Sequence, residues 1–154
     1  IIVTHNEWKY AADIETELDP ALPQVLCSPG DLKQVLINLI VNASQAIMPA
    51  KNGGGKGCIT IGTSFDSGAA LLTVTDTGPG IPPDVQEHIF ERYYTTKGPE
   101  QGSGQGLSIS RDLIVNKHRG NLSFSTAGGV GTTFEVRLPL CGAPEQDHHE
   151  FNHV

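Results

Sequence analysis

Apolar and polar side chains alternate along this chain in two different periods. Over residues 10–18 they alternate one for one, with Tyr10, Ala12, Ile14, Thr16 and Leu18 on one side and Ala11, Asp13, Glu15 and Glu17 on the other. That is the signature of a strand with one buried face. Two prolines, Pro20 and Pro23, end it. Ser28-Pro29-Gly30-Asp31 then reads as a helix start, with Ser as N-cap, Pro in the first turn, and Asp three residues on where Glu is more usual. The helical spacing that follows predicts a helix running to about Met48, before Pro49.

Residues 51–57 form a Gly/Lys loop, and residues 58–65 and 70–75 alternate again around Asp66-Ser67-Gly68, which predicts an antiparallel hairpin. A short helix is expected over residues 83–90. Residues 91–106 show no clean period and are rich in Gly, Thr and Gln, the composition of a mobile functional loop. Helical spacing returns over residues 107–117. Residues 121–126 and 132–138 predict a last hairpin across Ala127-Gly128-Gly129-Val130-Gly131. The resulting class is α+β, a two-layer sandwich with a mixed, mostly antiparallel sheet covered by helices on one face. One domain is expected over residues 1–139, and a patternless, disordered tail over 140–154.

Composition narrows the function classes. A formal charge of -7 supplies no basic field, so no nucleic-acid partner is expected. Cys27, Cys58 and Cys141 are odd in number and far apart, which argues against a disulfide framework or a zinc site and fits a reducing compartment. No apolar run reaches the roughly 20 residues of a membrane span. The start, without Met or a signal pattern, is expected to be that of a segment from a longer protein.

Three elements carry chemistry. On the long helix, Gln34, Asn38, Asn42 and Gln45 fall within roughly 80° of one another, opposite Leu32, Val35, Leu36, Leu39, Ile40, Ala43 and Ile47. An amide stripe on an apolar helix is either a solvated face or a row of groups with something to bind. Its carbonyl oxygens suit a hard cation such as Mg²⁺. Next, Asp76-Thr77-Gly78-Pro79-Gly80-Ile81 follows a strand directly; an acid there can accept from an exocyclic amine where glycines let backbone approach a flat ligand. As an isolated motif it is equally an ordinary turn. Third, Gly102-Ser103-Gly104-Gln105-Gly106-Leu107 opens a helix, where exposed amides suit a polyphosphate. The spacing is GxGxG after a loop, which excludes a Rossmann or Walker reading.

The order of these elements, with Ile89-Phe90-Glu91 and Tyr94-Thr95-Thr96-Lys97 between the second and third, resembles the GHKL nucleotide-binding superfamily. Within it the chain is similar to sensor histidine kinases, on the nitrogen-regulator side. Asn38 to Ala46 matches the N box, Asp76 to Ile81 the G1 box, Ile89 to Lys97 the F box and Gly102 to Leu107 the G2 box, while Gly129 to Phe134 looks like the last glycine box. The resemblance implies a Bergerat-type fold that binds ATP and Mg²⁺. In it Asn42 ligates the metal, Asp76 holds adenine, Gly78 and Gly80 shape its loop, and Ala46, Ile81 and Leu107 line the base pocket. Gly102, Gly104 and Gly106 face phosphates, Thr132 assists adenine, and Lys97 is the candidate phosphate contact in the lid, where Tyr93 and Tyr94 are anchors or plain surface.

Asn38 stands where hydrolytic members of the superfamily have a glutamate that activates water. An amide is no general base, so Asn38 marks the catalytic difference, favouring phosphoryl transfer over hydrolysis. None of the six histidines, His5, His88, His118, His148, His149 and His153, matches the family's acceptor pattern; His88 and His118 are expected on helix surfaces. The acceptor is therefore expected on a dimerisation domain outside this chain, with a response regulator downstream and the isolated domain monomeric. The resemblance implies a cytoplasmic domain and leaves membrane anchoring of the parent open. Two alternatives stand beside it: a non-catalytic ATP-binding module, and an anti-sigma-type serine kinase of the same fold.

Overall fold

A computed structural model describes residues 12–48, 55–96 and 104–140. Lys97, Gly102, Cys141, the expected tail beyond Leu140 and most of the Gly/Lys loop lie outside them.

The alternation near the start becomes β1 (Ala12–Glu17), an edge strand. The capped helix is α1 (Pro29–Ile47), in which the Ser28 hydroxyl accepts from the Asp31 N–H at 3.4 Å. The first hairpin is β2 (Gly57–Asp66) and β3 (Ala69–Asp76). Its turn uses positive φ at both Ser67 and Gly68, the twist that lets a two-residue loop join right-twisted strands. A single turn α2 (Pro83–Gln86) comes next, then α3 (Gly106–Asp112), continued by a π-helical stretch, Leu113–Lys117. The last hairpin is β4 (Asn121–Ala127) and β5 (Gly131–Pro139).

Two expectations are corrected. The helix expected over residues 83–90 stops at Gln86, because the chain closes into three-residue turns, with His88 N–H on Val85 O and Glu91 N–H on His88 O, while the Gln86 side chain folds back to Ile81 O. The helix over 107–117 is not regular: His118 N–H reaches five residues back to Leu113 O at 3.1 Å.

The five strands lie in the order β1-β2-β3-β5-β4. β1 runs parallel to β2, with α1 as the crossover between them, and every other neighbour is antiparallel. Partnered residues share a face, so Ile59, Val74, Phe134 and Leu122 all point to the side that α1 and α3 cover, while Thr60, Thr73, Thr133 and Ser123 lie on the other. Val35, Leu39 and Ile47 of α1 and Ile114 close the core against that sheet face. Phe90, Phe124 and Phe134 extend it as an aromatic row with centroids 6.0 Å apart, and the Arg111 guanidinium caps the row over Phe90. Among the described residues no helix is long and apolar enough to cross a membrane.

Candidate nucleotide site

β3 ends on Asp76, and the next strand places Thr132 opposite it. Because Asp76 alternates with Val74 and Leu72 on the covered face, its carboxylate is carried into the molecule and keeps 3% exposure. Burial pushes its carboxyl above the usual carboxylate range; the backbone N–H groups of Gly78 and Thr132 pull the other way and do not cancel that push. The Gly78 N–H donates to Oδ1 at 2.8 Å, the bond of a tight turn closed by its own acid. A side chain at Gly78 would meet Asp76 Oδ1 at 2.8 Å and Ala46 Cβ at 3.3 Å, so the last turn of α1 lies against this loop. Asp76, Gly78 and Ala46 are thus brought together from two elements.

The loop is fastened on both flanks. On one side Thr77 and Cys58 exchange two bonds, the Thr77 N–H to Cys58 O and the Cys58 N–H to Thr77 Oγ1. On the other, Ile81 N–H donates to Thr126 Oγ1 at 2.9 Å and Gly129 N–H to Pro79 O at 2.9 Å. Gly80, at φ 82°, passes so close that a Cβ would stand 2.6 Å from Ala127 O. Thr126 Oγ1 also meets Thr132 Oγ1 at 3.0 Å, which links Asp76, Thr132, Thr126 and Ile81 in one chain of polar contacts. A hollow of about 240 Å³ opens beside them, lined in part by Thr75, Ser125 and Thr133 from the other sheet face.

The amide stripe divides. Asn38 Nδ2 donates to Gly106 O and to Ser110 Oγ, both at 3.1 Å, and its Oδ1 accepts from Gln34 Nε2 at 3.0 Å. Asn42, one turn on, is half-buried, and its side chain makes no hydrogen bond among the described residues. Gly104, at φ 65°, accepts at its carbonyl from the Tyr93 N–H at 2.9 Å; a side chain there would collide with the Tyr93 backbone. Leu107 and Ile81 are partly buried and pack against the core. Tyr93 is 71% exposed, whereas Tyr94 leans on His88, with centroids 5.2 Å apart.

Three contributors escaped the reading of the sequence. Ser110 is wholly buried beside Asn38, Thr126 fastens Ile81, and Asp31 pairs with Lys117 and His118. His118, expected on a helix surface, has a side chain only 10% exposed, because it packs inward onto Asp31. The capping pattern at Ser28 drew attention to Asp31 and assigned it no distant partner. No cluster of His, Cys, Asp and Glu that could hold a metal occurs among the described residues, so a cation here would rely on amide oxygen and ligand oxygen.

The family described as histidine kinase-, DNA gyrase B- and HSP90-like ATPase matches residues 27–142. The sensory histidine kinase/phosphatase NtrB of Escherichia coli O157:H7 is 39% identical over 132 residues, covering 80% of this chain and 36% of that protein. The catalytic domain of the histidine kinase ThkA has a TM-score of 0.74 and 31% identity, over 90% of this chain and 86% of that one. Full-length ShkA in complex with AMPPNP has a TM-score of 0.75 and 27% identity, over 92% of this chain and 28% of that one. The chain therefore spans about a third of the length of the curated relatives it matches. It belongs to the histidine kinase-, DNA gyrase B- and HSP90-like ATPase family, as a sensor histidine kinase catalytic domain.

Proposed function

We propose that this domain binds Mg²⁺-ATP and presents the γ-phosphoryl group to a histidine on a dimerisation domain, from which it passes to a response regulator. The observation that carries the reading is the Asp76 carboxylate: buried at a sheet end, tied to Gly78 and Thr132, and flanked by the small Ala46. A buried acid is costly unless a partner satisfies it, and the exocyclic amine of adenine is such a partner. Ile81 and Leu107 supply apolar walls for the base.

The residues present suit the metal and the triphosphate as well. Asn42 offers an amide oxygen that no described group occupies, and Gly104 and Gly106 keep the backbone free of side chains where phosphate would approach. Bound Mg²⁺ supplies neutralisation of phosphate charge. Lys97 and Gly102 complete the proposed phosphate contacts. This chain's own task is positioning, which is most of what phosphoryl transfer requires of a protein. Asn38, assigned to the catalytic and nucleotide-binding set, is an amide and unable to serve as a base, and its hydrogen bonds within the chain go to Gln34, Gly106 and Ser110.

Calorimetric titration of ATP, with and without Mg²⁺, tests this beside Asp76→Ala. Binding in the wild type that disappears in the variant is the expected result. An unliganded wild type at millimolar ATP would overturn the reading and favour a module that has lost nucleotide binding.

A further inference from the structure

α1 and α3 lie antiparallel and are fastened at two levels. At one end Asp31 of α1 holds Lys117 and His118. At the other, Ser110 Oγ donates to Gly106 O at 2.8 Å and accepts from Asn38 Nδ2 at 3.1 Å, while the same Nδ2 reaches Gly106 O. Three polar groups from two helices thus close a ring. Ser110 has 0% exposure, and a buried hydroxyl is disfavoured relative to a plain apolar side chain unless its bonds do something alanine cannot.

Between the two levels the helix leaves its regular course over Leu113–Lys117. A π-helical stretch absorbs or releases a residue of register, so the Asp31 anchor alone does not fix how far the start of α3 projects. A slip of one residue is about 1.5 Å along the axis, enough to break the bonds of the ring. Asn38 precedes Asn42 by one turn on α1, so whatever holds Gly106 at Asn38 also sets Gly106 and Gly104 at a fixed height against Asn42.

Resting on the nucleotide reading above, we infer that Ser110 is a positioning residue for the triphosphate end of the site: through Asn38 it sets the register of the α3 start against α1. The Asp76 side of the adenine end, built on β3 and the β4–β5 hairpin, does not depend on that register, and only the Leu107 wall of the base moves with α3.

The test is competition by ATP, with Mg²⁺, and separately by adenosine, against a fluorescent ATP analogue bound to the chain. Ser110→Ala is expected to weaken ATP about fivefold, the worth of one hydrogen bond, while adenosine, which meets α3 only through the apolar Leu107, changes by less than about twofold. In an Asn38→Ala background the Ser110 substitution is expected to have no further effect on ATP, since Asn38 is the intermediary. Melting curves of each variant report stability separately. Equal weakening of ATP and adenosine, an unchanged ATP affinity, or additive losses in the double variant would each overturn the inference and leave Ser110 as packing. Failure of the wild type to bind the analogue or ATP overturns the nucleotide reading itself, and the inference with it, before any variant is compared.

Discussion

Asp31 and His118 stand 87 residues apart along the chain, yet His118 Nε2 lies 3.0 Å from the Asp31 carboxylate. Lys117 Nζ reaches the same oxygen at 2.6 Å. One acid in the first turn of α1 therefore ties down the C-terminal end of the helix that opens at the glycine loop.

The hydrogen bond from Lys117, joined by those from His118 and Ser28, holds the Asp31 carboxyl below its ordinary 3.8 against the opposing effect of burial. A lowered folded-state value means that the contribution is present above pH 3.8 and is lost as pH falls through the lowered value. Asp31→Asn is expected to melt at a lower temperature than the wild type near neutral pH, with the two curves converging below pH 3.8. A gap that stays constant down to that acidity would show that the charge contributes nothing.

Asp76 runs the opposite way. Its folded-state value is raised above 3.8 by burial, so full stability exists below that pH and part of it is lost as pH rises through the raised value. Replacing the acid by a neutral side chain of the same shape removes that loss. Asp76→Asn is expected to melt above the wild type near neutral pH, to match it in acid, and to bind ATP more than about tenfold more weakly. A variant that melts lower at neutral pH and still binds ATP would sink both halves of the expectation.

Gly131, at φ 127°, lies where any Cβ would overlap the Asp76 carbonyl oxygen. Gly131→Ala is expected to cost roughly 2 kcal/mol or more in urea unfolding, through strained backbone and a forced separation of β3 and β5. It should weaken ATP as well, since Asp76 and Thr132 face each other across that pairing. Gly128→Ala is the control, because no other atom stands within 4 Å of its added Cβ. Equal unfolding free energies for the two variants would refute the close-approach explanation.

Much of the fold was legible in local patterns. The period-two run became β1, Ser28 did cap α1, and the Asp66-Ser67-Gly68 turn joined β2 to β3, because each signal spans only a few residues and needs no distant partner. The four ordered boxes likewise pointed to the family that the comparisons show. What the amide stripe on α1 faces was not legible: periodicity put Asn38 and Asn42 on one side of a helix, and either a solvated face or a ligand site was consistent with that. The burial of His118 and the early end of α2 were missed for the same reason, since helical spacing is silent on what packs beside it.

The amino-acid sequence by itself determined the element types, the turn chemistry and the glycine and acid motifs, all set by interactions within a few residues of one another. Only the tertiary structure decided that β5 lies between β3 and β4, that Asn38 joins Gly106 and Ser110 while the Asn42 amide one turn later has no partner among the described residues, and that Asp31 belongs to Lys117 and His118. Those contacts span tens of residues, and they form only when burying the apolar faces of α1 and α3 on one sheet brings the helices side by side.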